Sequence, residues 1–204
     1  MKVSVLPLSK IKFAQKDEQV EEDMSVSARL HRLQTYFQEH GTRTYVEAVI
    51  VTHVHGHPHV LLLQIGTTFF KLPGDYIQPG SDPIDGLRER LNTQLSRLSG
   101  TNPTTGSPEY EGGNDWNISA CVARWWRPNF ETFLYPFCPP HITKPKEVKL
   151  QYLVTVPADR TIYIPRSMKI VAVPLFELAE NASRFGNQIS ALPVALSHLD
   201  FTFE

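Results

Sequence analysis

Apolar residues recur along this chain at two spacings. Val26, Leu30, Leu33 and Phe37 repeat in steps of three and four, which gathers them on one face and predicts a helix from Ser25 to about His40, stopped by Gly41. Arg29 and Arg32 fall off that face. A second stripe, Ile84, Leu87, Leu91, Leu95 and Leu98, follows a start signal: Asp82 as N-cap, Pro83 at the first helical position, and Asp85 placed as in a capping box. A helix of about four turns is expected there. Period-two and β-branched runs predict strands at residues 3–6, 11–13, 67–72, 116–126, 148–156, 161–164 and 168–173. Residues 45–55 and 59–65 read as a hairpin around Gly56-His57-Pro58. Residues 175–178 predict a helical turn, and a last helix runs from Gln188 to about Leu199, interrupted or begun at Pro193.

Two stretches fit neither period. Residues 99–113 are Gly, Ser, Thr, Pro and Asn, a surface insertion too polar to pack. Residues 127–146, RPNFETFLYPFCPPHITKPK, carry five prolines and four aromatics and predict a long irregular segment held by aromatic packing, of the kind that serves function or contact. No repeat divides the strands into two sets. The order of elements therefore predicts an α/β domain, a mixed sheet between helices, over residues 25–204, with residues 1–24 as an N-terminal extension offering edge strands and an insertion near 99–115.

Composition narrows the chemistry. The 204 residues carry 20 Lys and Arg against 21 Asp and Glu, a net charge of −1, which argues against nucleic-acid binding driven by phosphate neutralisation. If RNA is bound, the bases must carry recognition. No run approaches the ~18 apolar residues of a membrane span, and the first residues lack a signal-peptide core, so an intracellular protein without membrane contact is expected. Cys121 and Cys138, without a CxxC pattern, read as packing residues. His53, His55, His57 and His59 alternate, yet a proline breaks the series, and a polar hairpin tip is the expectation. The sequon Asn181-Ala182-Ser183 is expected to be silent.

The strand, glycine-bearing loop and helix between Gly66 and Ser96 resemble the Nudix box. Laid on it without a gap, the defining places fall on Asp75, Ser81, Glu89, Arg90, Leu91, Thr93, Gln94 and Ser96, and the aliphatic Leu91 alone agrees. Nudix hydrolases use helix carboxylates at i, i+3 and i+4 to hold Mg²⁺, a hard cation that takes oxygen ligands. Here those places hold Arg90, Thr93 and Gln94, and a guanidinium cannot ligate. Asp82, Asp85 and Glu89 share a helix face but suit the helix N-terminus better than an ion. The expectation is no metal, no cofactor and no hydrolysis; a metal-dependent hydrolase of nucleoside diphosphate derivatives is the alternative.

Longer strings narrow the resemblance: SVSARLHRL, GTTFFKLPG, WWRPNFE, HITKPKE and PLFEL. Together they look like the small Nudix subunit of cleavage factor I of pre-mRNA 3′-end processing, over nearly the whole chain from about Val20. The resemblance implies a Nudix-type α/β/α sandwich with a mixed sheet, no hydrolysis, a homodimer, and a nuclear location. It also implies binding of single-stranded UGUA RNA, a larger subunit with an RNA-recognition domain, and poly(A) polymerase as a further contact. Residue by residue, Phe69 matches the aromatic that stacks on a base, flanked by Thr68 and Leu72. Arg29 and Glu47 match an Arg and a Glu that meet across the first helix and first hairpin strand, the carboxylate facing guanine N1 and N2 hydrogens. Glu21 and Glu131 match further acids near the RNA. Phe185-Gly186 falls where the family has Tyr-Gly, keeping a stacking face but losing a hydroxyl. A protein-interaction scaffold built on the aromatic segment is the remaining alternative.

Overall fold

The computed structural model describes residues 1–19, 23, 25–113 and 115–204. Its centre is β3 (Arg43–Val54) and β4 (His57–Ile65). Successive residues of these strands enter two different cores: Val46, Ala48, Ile50, Leu61 and Leu63 on one face, Val49, Val51, Val60 and Leu62 on the other. Alternation of side chains across the pleat produces this division. It explains why both strands read as almost unbroken apolar runs, since a strand covered on both faces has no side to leave polar.

Five further strands complete the sheet: β5 (Phe69–Lys71), β6 (Gly74–Tyr76), β9 (Asn117–Arg127), β10 (Glu147–Thr155) and β12 (Met168–Pro174). The order is β12-β4-β3-β10-β9, with β5 on β4 and β6 on β3, and β10 runs parallel to β3 among otherwise antiparallel pairs. The sheet is mixed. One face is covered by α2 (Pro83–Leu95) through Leu87, Leu91 and Leu95, all fully buried. The other is covered by the turns α3 (Leu175–Leu178), α4 (Ala182–Phe185), α5 (Asn187–Ser190) and α6 (Leu192–Leu196), through Leu178, Phe185, Ile189, Leu192 and Leu196. The α/β/α sandwich expected from the sequence is therefore the fold. Helix α1 (Val26–His40), capped by Ser25 on Ala28 N–H at 3.1 Å, places Phe37 edge-on to Phe130 of the irregular segment.

The ends of the chain pair with later strands. β1 (Lys2–Val5) runs parallel to β13 (Asp200–Phe203), and β2 (Lys12–Lys16) parallel to β11 (Thr161–Pro165). Val3 and Val5 are core residues. Among the described residues no helix is long and apolar enough to cross a membrane.

Four local expectations are corrected. The hairpin turn is His55-Gly56, both at positive φ (49° and 75°) as a two-residue hairpin turn needs, so His57 and Pro58 belong to β4. Leu98 lies beyond the helix and is 58% exposed, because α2 ends at Leu95. The insertion contains a two-stranded ladder, β7 (Leu98–Thr101) with β8 (Pro108–Tyr110). The C-terminal helix, expected to be interrupted or begun at Pro193, is two short pieces, α5 and α6, parted at Ala191, and it stops short of Leu199, where strand β13 follows.

Candidate nucleic-acid interface

Strand β5 is short, and its alternation decides which aromatic is available. Phe70 points inward, 9% exposed, with its ring 5.0 Å from that of Phe185; Phe69 points outward and is 58% exposed. Phe69 stands at the mouth of a pocket of about 780 Å³ whose wall includes Arg29 of α1, Tyr45 and Glu47 of β3, Tyr76 of β6 and Lys149 of β10. Leu72 and Gly186 also line it, while Thr68 and Glu131 stand exposed outside the wall. Glu21 lies outside the described residues.

The floor is set by a close approach of backbones. A Cβ on Gly74 would stand 2.0 Å from the carbonyl oxygen of Val46, so this position of β6 requires glycine. The same glycine is clamped by Gln94 of α2: Gly74 N–H donates to Gln94 Oε1 at 2.9 Å, and Gln94 Nε2 donates to Gly74 O at 3.0 Å. Gly74 is the register partner of Glu47. The helix thus holds the strand beneath the carboxylate.

Glu47, 6% exposed, accepts from Lys149 Nζ at 2.8 Å and from Gln151 Nε2 at 2.9 Å. It forms no ion pair with Arg29, contrary to the expectation that the two meet. The Arg29 guanidinium lies instead over the rings of Tyr45 (5.1 Å) and Tyr76 (5.7 Å), and its Nε and Nη2 are buried without a hydrogen-bond partner. Burial opposes the Arg29 charge, but Tyr76, Tyr45 and Glu147 outweigh it and raise its pKa. Burial first, then the Glu47 carboxylate, pushes the Tyr45 phenol well above its ordinary value, so its hydroxyl stays a donor to Gly74 O at 3.1 Å. The Tyr76 phenol is raised in the same way, by burial and then by Glu147, which accepts a hydrogen bond from its hydroxyl. Arg127 Nη2 stands 3.6 Å from the other oxygen of Glu147, a fully buried carboxylate.

Phe185 is the second correction at this site. The residue lines the pocket, but its ring is 5% exposed, packed on Phe70 and beside the Arg184 guanidinium at 4.9 Å, so it offers little open face to a base. Sequence reasoning missed Tyr45, Tyr76, Lys149 and Gln151. A signal was present, since Glu47, Lys149 and Gln151 are polar interruptions in strands that are otherwise apolar.

The box positions are occupied in other ways. Arg90 Nε donates to Tyr76 O at 2.8 Å, Thr93 Oγ1 to Glu89 O at 3.0 Å, and Gln94 holds Gly74. Asp75 accepts from the N–H of Tyr76 at 2.7 Å, and Ser81 sits in the exposed turn before the helix. Asp82 caps Ile84 and Asp85, and Asp85 pairs with Arg88 at 2.6 Å. The donor set Arg90, Thr93, Gln94 does not fit the Mg²⁺ that the box holds elsewhere: it supplies no anionic oxygen and one fixed positive charge.

The chain matches the NUDIX_2 family, described as nucleotide hydrolase, over residues 1–199. It is 45% identical over 199 residues to the pre-mRNA cleavage factor Im 25 kDa subunit 2 of Arabidopsis thaliana, spanning 98% of this chain and 94% of the relative. Identity to subunit 1 of the same organism is 41%, over 98% of this chain and 85% of that protein. The cleavage and polyadenylation specificity factor subunit 5 of Dictyostelium discoideum is 40% identical over 92% of this chain and 89% of its own length. With a Nudix-type sandwich in its fold and these relatives along almost its full length, this chain belongs to the Nudix family and, within it, to the small subunits of cleavage factor I of pre-mRNA 3′-end processing.

Proposed function

We propose that this chain is a non-catalytic RNA-binding subunit of the pre-mRNA cleavage and polyadenylation machinery, reading UGUA-type single-stranded RNA by base stacking and edge hydrogen bonds. The names of its relatives support the process and membership of a complex with other cleavage factor subunits. One observation carries the RNA reading: Phe69 offers an open ring face at the mouth of a pocket whose wall holds both an acceptor, Glu47, and a guanidinium, Arg29. Single-stranded RNA is read by that combination, an aromatic platform with polar groups for the base edge.

In this reading Phe69 stacks on a base, with Thr68 and Leu72 flanking, and Glu47 accepts from guanine N1 and N2. The Arg29 guanidinium donates to a carbonyl or phosphate oxygen. Gly186 supplies a wall that a side chain would narrow, and Glu131 bounds the path of the strand; Glu21 is assigned to the RNA on the sequence resemblance alone. Hydrolysis is not assigned, because the three places that hold metal in the box are an arginine, a threonine and a glutamine committed to backbone partners. The subunit acts in the nucleus as a homodimer, alongside a larger subunit that carries an RNA-recognition domain and in reach of poly(A) polymerase.

The test is Phe69→Ala with a fluorescent UGUA RNA and a permuted control. A stacked base contributes roughly 1–3 kcal/mol, so affinity for UGUA falls about 5- to 150-fold while the fold is kept. Unchanged affinity would transfer the function to protein contacts. Mg²⁺-dependent turnover of a nucleoside diphosphate derivative by the unmodified chain would overturn the non-catalytic assignment.

A further inference from the structure

We infer that Gln151 is a positioning residue that fixes the Glu47 carboxylate as a two-oxygen acceptor and thereby sets the pocket's preference for guanine; the inference rests on the RNA reading above. Gln151 is fully buried and does not itself line the pocket. Its effect is exerted through Glu47.

The geometry begins with register. β10 is the parallel neighbour of β3, Gln151 is the partner of Glu47, and Lys149 is the partner of Tyr45. Residues two apart share a face, so Lys149 and Gln151 both present donors to the one carboxylate. Lys149 Nζ takes Oε1 at 2.8 Å and Gln151 Nε2 takes Oε2 at 2.9 Å. One bond on each oxygen leaves a lone pair on each.

The direction of these bonds is fixed from the far end. Trp125 of β9 carries an indole N–H and no acceptor, and it donates to Gln151 Oε1 at 3.3 Å. That bond commits the oxygen end of the amide to Trp125 and turns its NH₂ toward Glu47. Lys149 likewise can only donate. Glu47, with donors on both flanks, presents two adjacent acceptor oxygens to the pocket.

Two adjacent acceptors match one base edge. Guanine N1–H and N2–H₂ are neighbouring donors, whereas adenine, cytosine and uracil set an acceptor beside each donor. Without Gln151 the Oε2 oxygen is released, the carboxylate turns about its broad terminal torsion, and the matched pair is lost. Recognition of guanine then weakens while stacking on Phe69 is untouched.

The experiment measures binding of wild type, Gln151→Met and Trp125→Phe to three RNAs that carry UGUA, the same site with inosine for guanine, and the same site with adenine. Inosine lacks the N2 amine. Wild type is expected to favour guanine over adenine by roughly tenfold or more, as a bidentate base contact does, and to lose affinity with inosine. Gln151→Met is expected to bring all three RNAs within about threefold of one another, with Trp125→Phe between, since the amide is present there but unpinned. A general loss of fold would lower binding to all three RNAs together and leave the ratios standing, which counts against the inference. A guanine-to-adenine ratio equal to wild type in both variants overturns the role of Gln151 and leaves the RNA function intact. A wild type without guanine preference, or without RNA binding, overturns the RNA reading itself.

Discussion

Lys16 reaches from β2 to the end of α2, where its ammonium donates to the carbonyls of Thr93 at 2.6 Å and Ser96 at 3.3 Å. Those carbonyls have no partner inside the helix, and a cation at a helix C-terminus is favoured. Burial still opposes the charge and pushes this lysine down from its ordinary 10.5 to about 8. The unfolded chain therefore holds a proton that the folded chain has released, and stability rises with pH between about 8 and 10.5. Lys16→Met removes that rise. Urea midpoints measured near pH 8 and pH 10 check it, and a wild type whose midpoint moves no differently from the variant's overturns it. Individual side chains were legible in the sequence only where alternation decides them. Phe69 and Phe70 had to face opposite ways, and the resemblance chose the exposed one correctly. Phe185 was not legible, because its burial depends on Phe70 arriving from a strand 115 positions away. The partners of Glu47 were hidden for the same reason: Lys149 and Gln151 follow it by 102 and 104 residues, and the parallel register alone brings them together.

At the scale of elements, α2 was the best-signalled piece of the chain, since its cap, its proline and its apolar stripe are all local. Its end was misjudged by one turn because Leu98 continues the spacing after the helix has stopped. The other face of α2 holds what the sequence could state only negatively. A glutamine at position 94 is more than a missing carboxylate, for its amide donates to and accepts from Gly74 in the buried floor of the pocket. Gln94→Glu keeps the size and removes the donor, so Gly74 O faces a carboxylate oxygen. Leaving a buried polar group unsatisfied costs about 1–3 kcal/mol, and the variant's denaturation midpoint should fall by that equivalent. Added Mg²⁺ is expected to leave the midpoint where it is, because Arg90 still holds a positive charge one turn away. Recovery of stability on adding Mg²⁺ would mean that a metal site persists in this helix. The hairpin turn was misplaced by two residues because His55-Gly56 lacks the Asn or Asp that marks such turns, although the glycine was there to be read.

Across the whole molecule, charge decides how RNA can be held. The chain carries a net −1, and several of its cations are paired with their own carboxylates: Arg32 with Asp23, Arg88 with Asp85, Arg184 with Glu177 and Lys149 with Glu47. The pocket is lined by Asp23, Glu47 and Asp75 against Arg29, Arg32, Lys71, Arg127 and Lys149, with Glu147 behind Arg127, so the surplus that could displace counterions from phosphates is small. For a single strand, the logarithm of affinity falls with the logarithm of salt with a slope of about −0.7 for each phosphate neutralised. One to three such contacts give a slope of roughly −0.7 to −2 for the UGUA RNA, and a titration at several salt concentrations measures it. Specificity should then vary little with salt, because the part that discriminates is stacking and edge hydrogen bonding. A slope steeper than about −4 would mean that phosphates supply most of the binding energy, through cations on a surface larger than this pocket, and the base-reading account would fail at the scale on which the charge balance first suggested it.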